Sequence, residues 1–378
     1  MRIANIIEEG KLGGPQVRMI RVAAALKGQV ETVIIMPREN AGPFQEMCRE
    51  ADIDYVALPL SRITREWRVA LRYVAFFPYE IWRIRRVLKK GRFDLVHVSG
   101  GSWQYKGVIA AKLAGIKVVW HLNDTRMPRW IRSIFRMVQP LADGLIFASE
   151  RSRDYYGALA GQQPDAVIPS TVDRRHFDPD AETGDDAALA AFGDGPVIGT
   201  VANVSPVKGL ECLVQATALL LPRWPDLRVV VVGPVHRNQE SYHRGLCELA
   251  GSLGAAEAIH WVGARSDVRP LLARMGVYVC SSVAESSPVS VWEAAAMARP
   301  VVSTDVGDVA LTLSGPEGAF IVPVGDAEAM AAEISRLLED AALRVRTGAA
   351  ARAATAVFSP DNIAARTLAF YRRIVAGD

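Results

Sequence analysis

Two carboxylates eight positions apart, Glu285 and Glu293, stand in the stretch SSVAESSPVSVWEAAAMARP, Ser281 to Pro300. The apolar run Val277 to Cys280 before it reads as a buried strand, and Val301-Val302-Ser303 after it reads as another. Between them Ser287 is placed to cap a helix, Pro288 suits its first position, and Val289 to Met297 form its body. A helix N-terminus after a parallel strand offers free N–H groups and the positive end of a dipole, which suits an anion such as a diphosphate. Glu285 falls in the loop before that terminus, and Glu293 about a turn and a half inside the helix. Carboxylates beside an anion site repel phosphate, so neither is a phosphate ligand. Both suit hydroxyl groups, one of a sugar and one of a ribose, which is the pattern of a nucleotide sugar. Standing alone, the pair would read as a helix cap and a solvated glutamate, so the rest of the chain has to decide.

The elements around this stretch alternate strand and helix. Arg2 to Ile7 is a strand, Gly10-Lys11-Leu12-Gly13-Gly14 a flexible turn, Pro15 to about Leu26 a helix and Val30 to Met36 the next strand, a βαβ opening. Its turn matches neither G-x-G-x-x-G nor a P-loop. His121 sits at the C-terminal end of the strand Lys117 to Leu122, the end where open α/β sheets bind ligands. Lone histidines are more often core or capping residues, but this one is placed where a site should be. A second βαβ series starts at Val197 to Ala202. Its turn Asn203-Val204-Ser205-Pro206-Val207-Lys208-Gly209 puts Lys208 at the start of the helix from about Leu210 to Leu221. Asp52-Ile53-Asp54 has the form of a metal-binding D-x-D, yet it lies between a helix and the strand Tyr55 to Leu58 and reads as a turn, so no metal site is expected.

A chain of 378 residues, half of them hydrophobic and 22% charged, has the composition of a globular protein with two ordinary domains. The polar, acidic segment Asp173 to Pro196 marks the boundary: residues 1–175 with 360–378 form one domain, 176–359 the other. Ser359-Pro360 opens a last helix whose Ile363, Leu368, Tyr371 and Ile374 share an apolar face. The four cysteines are scattered without C-x-x-C or metal-ligand spacing, as expected in a reducing compartment. No run is apolar enough for a signal peptide or a membrane span, so a cytoplasmic protein is expected.

The net charge of +3 is unevenly spread. Met1 to Arg175 carries 28 Lys and Arg against 17 Asp and Glu, and the remainder is acidic, so the first domain suits an anionic partner. Arg62 to Arg92 concentrates ten Lys and Arg among Trp67, Tyr73, Phe76, Phe77, Tyr79 and Trp82. Arg126 to Arg136, with Trp130 and Phe135, is a second basic aromatic stretch. Two readings stand: a face for an anionic membrane, or a pair of helices with aromatic cores, Phe76-Phe77-Pro78 being the corner between them. No nucleic-acid recognition motif accompanies the basic half.

With these landmarks in order, the chain resembles glycosyltransferase family 4, retaining enzymes of the GT-B fold found in bacterial polysaccharide and glycolipid synthesis. ESSPVSVWEAAAMARPVVSTDVG resembles its Glu-x7-Glu segment and GTVANVSPVKG its donor-phosphate turn, while DLVHVSG, IPSTVDRRHF, VVVVGP and IHWVGARSDVRPLLARM follow in the family's order. The resemblance implies an α/β fold of two Rossmann-like domains facing a central cleft, with the C-terminal helix crossing back to the first. It implies Glu285 on the transferred sugar, Glu293 on the ribose, and Lys208 with the amides of Val289 and Ser290 on the diphosphate. His121 would lie against the donor sugar, Gly13 and Gly14 over the phosphates, and Arg265 where the backbone reads the base. The implied activity is transfer of a hexose-type sugar from a UDP- or GDP-linked donor, without metal or resident cofactor, to a glycan or lipid-linked acceptor, in the cytoplasm or on the inner face of its membrane. Three departures stand out. Asn203 replaces the usual arginine, leaving more of the phosphate charge to Lys208. Ser170-Thr171 replaces Asn-Gly in the hinge region, and Gly233-Pro234-Val235 replaces G-x-G. The rivals are a nucleotide-sugar epimerase or hydrolase of the same fold, and a non-catalytic transferase-like subunit.

Overall fold

The computed structural model describes residues 1–62, 67–125, 127–157, 159, 161–313 and 318–377, with the side chains of 67–70 outside the description. The chain forms two compact units, Met1–Thr171 with Pro360–Asp378, and Val172–Ser359.

The first unit runs β1 (Arg2–Ile6), α1 (Gly14–Ala25), β2 (Glu31–Pro37), α2 (Gly42–Glu50), β3 (Asp54–Leu58), α3 (Trp67–Gly91), β4 (Leu95–Val98), α4 (Tyr105–Ala114), β5 (Val118–Leu122), α5 (Arg129–Val138), β6 (Gly144–Phe147), α6 (Glu150–Gly157) and β7 (Asp165–Val167). Its strands form a parallel sheet in the order β3-β2-β1-β4-β5-β6-β7. Both faces are covered, which is why the strands are apolar throughout instead of alternating. Val96, Val98, Val118, Trp120 and Leu122 share one core with Ile81, Ile84 and Leu88 of α3 and Ile131 and Phe135 of α5. Leu95, Val119 and Ile146 point the other way, into a core with Val22 and Leu26 of α1 and with the C-terminal helix, Pro360–Ala376. That helix buries Ile363, Leu368, Tyr371 and Ile374. Its close approach needs Gly144, where a Cβ would stand 2.6 Å from Ile374 Cδ1.

The second unit runs β8 (Val197–Val201), α7 (Leu210–Leu220), β9 (Arg228–Val232), α8 (Glu240–Ser252), β10 (Ile259–Gly263), α9 (Arg269–Arg274), β11 (Val277–Cys280), α10 (Val289–Ala296), β12 (Val301–Thr304), α11 (Val309–Thr312), β13 (Phe320–Val322), α12 (Ala327–Glu339) and α13 (Ala341–Ala354). Its parallel sheet has the order β10-β9-β8-β11-β12-β13. In each sheet the order reverses beside one strand, at β1/β4 and at β8/β11. Loops at the carboxyl ends of such neighbours diverge and leave a crevice for a ligand.

Two expectations need correcting. Residues 67–91 make one helix, α3, with Pro78 inside it, so Phe76-Phe77-Pro78 is no corner between two helices. Proline there removes one hydrogen bond, to the carbonyl of Val74, a residue 69% exposed where water can replace the donor. The helix of the Glu-x7-Glu stretch starts at Val289, with Pro288 as its N-cap residue and no side-chain cap. Ser287 therefore falls one residue before the N-cap, and its hydroxyl accepts the Trp292 indole N–H at 3.2 Å.

Candidate active site

The carboxyl ends of β8 and β11 are joined through their loops. Val283 N–H donates to Val207 O at 2.8 Å, and Ser281 Oγ to Lys208 O at 2.9 Å. Gly209, at φ +56°, lies so close to Ser281 that a Cβ would stand 2.3 Å from its carbonyl oxygen, so glycine is needed for both reasons. Gly307, at φ +54°, allows an equally close approach to Ser286 O. Thr304 Oγ1 donates to Ser282 O at 2.6 Å and pins the start of the Glu285 loop to β12.

This joint brings Lys208 Nζ to 2.5 Å from Glu285 Oε1, which also accepts Ser282 Oγ at 3.0 Å. Both side chains remain partly accessible, at 20% and 17%. Burial alone pushes the Lys208 ammonium down, but the Glu285 carboxylate beside it overrides this and holds it above the ordinary lysine value. The two opposite charges neutralise each other.

Helix geometry leaves the first amides of α10, Val289 and Ser290, without intrahelical acceptors. Tyr278, buried in β11, donates its hydroxyl to Ser290 Oγ at 2.9 Å and lies 3.4 Å from Val201 N and O, so it ties this terminus to β8. Glu293 lies half-buried on α10 between the buried Trp292 and Ala294. Asn203 is half-buried in the turn after β8, its amide 3.3 Å from Ser205 Oγ. That turn pairs with 232–235 through Ala202 N–H to Val232 O and Val204 N–H to Pro234 O, so Gly233-Pro234-Val235 serves to extend the sheet. The Arg265 side chain is engaged with Asp186, Nε to Oδ2 at 2.6 Å, which anchors the loop after β10.

In the first unit, Gly13 is the N-cap of α1 and Gly14 its first residue, and no side chain caps them. Gln16 donates to Glu9 O at 2.9 Å and closes the turn. His121 is buried at the end of β5, with Nε2 lacking a partner. Burial, with Arg18 and His97 nearby, holds its imidazole well below the ordinary value and therefore neutral. His97 stacks on it at 5.6 Å and exchanges a 2.5 Å hydrogen bond with Tyr371 of the C-terminal helix. Asp52 has φ +50° and pairs with Lys27 at 3.0 Å in an exposed turn, and Asp54 opens β3. Among the described residues, no three His, Cys, Asp or Glu side chains are grouped to hold a metal ion.

Of Arg62 to Arg92, residues 63–66 and the side chains of Trp67 and Arg68 lie outside the described residues, as does Arg126. The rest of α3 is two-faced. Tyr73, Ile81, Ile84 and Leu88 are buried, while Leu71, Val74, Phe76, Tyr79 and Trp82 are about half or more exposed, with Arg83 over the Tyr79 ring and Arg86 over Trp82. On α5, Phe135 is core and Trp130 and Met137 are exposed. Among the described residues, no helix is long and apolar enough to cross a membrane.

Two parallel α/β units, each with its loops at a switch point, define the GT-B class of glycosyltransferase. The solved structure of Anabaena HepE in complex with UDP-glucose matches with a TM-score of 0.82 at 18% identity, over 98% of this chain and 100% of that one. Residues 12–176 match the profile described as Glycosyltransferase Family 4, and residues 195–340 the one described as Glycosyl transferases group 1. The chain belongs to the family 4 glycosyltransferases. It is 28% identical over 216 residues to a D-inositol 3-phosphate glycosyltransferase of Corynebacterium urealyticum, spanning 51% of that relative and 55% of this chain. It is 25% identical to the phosphatidyl-myo-inositol mannosyltransferase of Mycolicibacterium smegmatis over 92% of this chain and 86% of that one.

Neither Tyr278, which reads as strand core, nor Asp186, which reads as linker, stands out in the sequence. His97 lay in plain view in DLVHVSG, but a histidine inside a buried strand carries no signal until its neighbour on the next strand is known.

Proposed function

We propose that this glycosyltransferase moves a hexose-type sugar, with retention at the anomeric carbon, from a UDP- or GDP-linked donor to a glycan or lipid-linked acceptor. The observation that carries the reading is the Lys208–Glu285 pair at the β8/β11 switch point, beside the open terminus of α10. As the bond from the anomeric carbon to the phosphate oxygen breaks, negative charge gathers on the leaving diphosphate. Lys208 and the Val289 and Ser290 amides meet that charge in the place a metal would otherwise take. Gly13 and Gly14 offer backbone amides to the donor phosphates. Glu285, released from Lys208, accepts sugar hydroxyls, Glu293 accepts those of the ribose, and His121, neutral, hydrogen-bonds the sugar. The acceptor hydroxyl attacks from the face the phosphate leaves and gives its proton to the departing phosphate oxygen.

We extend the proposal to where the enzyme works. The exposed aromatic and aliphatic residues of α3, interleaved with arginine and lysine, suit the headgroup region of an anionic membrane, with rings at headgroup level and cations on lipid phosphates. Each cation near such a surface contributes about 1 kcal/mol. On this proposal the protein works at the inner face of the cytoplasmic membrane, next to a lipid-linked acceptor of cell-surface polysaccharide or glycolipid synthesis. The relative named for phosphatidyl-myo-inositol supports that setting. A panel of UDP-, GDP- and ADP-sugars, scored for nucleoside diphosphate release with and without lipid-phosphate acceptors, tests the reading. Release from one donor, raised by acceptor and giving a product of unchanged anomeric configuration, is expected. Release that ignores every acceptor and yields a free or epimerised sugar would overturn it.

A further inference from the structure

Glu8, Lys106 and Glu80 form a charged cluster inside the first unit, among residues given no role above. Lys106 is 0% exposed, its Nζ 2.6 Å from Glu80 Oε2 and 3.4 Å from Glu8 Oε2. It also donates to Ser61 O at 2.5 Å and lies 3.8 Å from the centre of the Tyr73 ring. The Tyr73 hydroxyl donates to Glu8 Oε2 at 3.4 Å. The end of β1, α4, α3 and the loop after β3 therefore meet at one ammonium.

One carboxylate would be enough to pair this lysine, and even a single buried ion pair seldom stabilises more than apolar packing does. Glu80 is explained locally: it makes the shorter bridge and accepts Ser61 N–H at 3.0 Å and Ser61 Oγ–H at 3.1 Å. Glu8 is the weaker ionic partner, and its stronger bonds go elsewhere. Its Oε1 accepts the Lys106 backbone N–H at 2.9 Å, and its own N–H donates to Gln104 Oε1 at 2.5 Å. Gln104 is the N-cap residue of α4 and makes no cap bond of its own. Glu8 thus caps α4 from a distant segment while the cap residue bonds back to Glu8, the reciprocity of a capping box spread over two loops. The loop it bonds is itself fixed, since Trp120 Nε1 donates to Gly101 O at 3.0 Å and Ser102 Oγ to Asp124 Oδ2 at 2.7 Å.

Glu8 is also where the chain leaves β1 for the Gly13-Gly14 turn. The turn's far end is held by Gln16 on Glu9 O, and its middle by Gly10, where a Cβ would stand 2.6 Å from Glu39 O. We infer that Glu8 is a positioning residue: by capping α4 it fixes the root of the 9–14 turn, and so the place from which the Gly13 and Gly14 amides meet the donor diphosphate. This rests on the donor reading above. Burial also raises the Glu8 carboxyl from its ordinary range, against the pull of Lys106.

Glu8→Ala and Glu8→Gln make a matched pair, because both remove the charge and only Gln keeps an oxygen that can accept the Lys106 backbone N–H. A role in charge balance alone predicts equal effects. Positioning predicts that Glu8→Ala speeds amide exchange across residues 9–14 and raises the donor KM by about tenfold to a hundredfold, the scale of a misplacement of about 1 Å. Acceptor KM should stay near wild type, and Glu8→Gln should bring both readouts back towards wild type. Equal exchange in the two variants, or a donor KM unmoved by Glu8→Ala, would overturn the inference. A wild-type protein that uses no nucleotide sugar would instead defeat the donor reading, and the exchange contrast would still decide the role of Glu8.

Discussion

Acid should loosen the first unit through its buried histidines. His97 is 1% exposed, and burial first, with the Arg18 guanidinium second, lowers its imidazole from the ordinary 6.5 to about 3. The unfolded chain takes up a proton as pH falls below 6.5, and the folded chain does not until about 3. A depressed folded value means the stability is complete above 6.5 and lost progressively as pH falls towards 3. At pH 5 the loss is the unfolded state's gain over one and a half pH units, about 2 kcal/mol for His97 alone. His121, shifted the same way, adds to it. That is a large part of a total stability of about 5–15 kcal/mol. Hydrogen–deuterium exchange of the β4 and β5 peptides at pH 7, 6 and 5, corrected for intrinsic rates, follows this unit by itself. In His97→Gln the 2.5 Å bond to Tyr371 is weakened, at a cost of about 1 kcal/mol at pH 7. The gap to wild type should then close by pH 5, because one titration has gone. Parallel pH curves for the two proteins would refute the reasoning.

Activity should survive EDTA, since the leaving charge is assigned to Lys208 and helix amides; loss on chelation, restored by Mn²⁺ or Mg²⁺, would reject that assignment. Sedimentation with anionic vesicles should fall on converting Arg85, Arg86, Lys89 and Lys90 together to Ser, and wild-type binding should weaken at high salt. An equal preference for neutral vesicles would leave the α3 face without its proposed partner. Tyr278→Phe removes the hydroxyl that ties Ser290 to β8, at about 1 kcal/mol of stability. It should weaken nucleoside diphosphate binding several-fold by calorimetry, and unchanged affinity would mean the α10 amides do not hold the ligand.

Strand, turn and helix succession gave the doubly wound sheets, because a parallel strand covered on both faces is a short apolar run that sequence shows directly. Lys208 and Glu285 were readable for a related reason: each follows such a run, and carboxyl-end loops are where chemistry collects. Their contact was not readable, since it depends on Gly209 passing close to Ser281. Pro78 misled because proline usually ends a helix, and only the exposure of Val74 shows why this helix continues. Ser287 misled because serine before proline has the form of an N-cap, while the helix starts one residue later and Pro288 takes that position. Glu8, Lys106 and Glu80 were out of reach altogether, their partners lying on three elements far apart in the chain.

Titrating UDP and GDP against wild type and Lys208→Ala by calorimetry tests the central claim most directly. If the β8/β11 loops hold the donor diphosphate, one nucleotide binds wild type, and Lys208→Ala weakens it by about 10-fold to 100-fold, as expected for a charge-assisted contact of about 1.5–3 kcal/mol. Equal affinity in the two proteins, or no binding of any nucleoside diphosphate to wild type, would contradict the account.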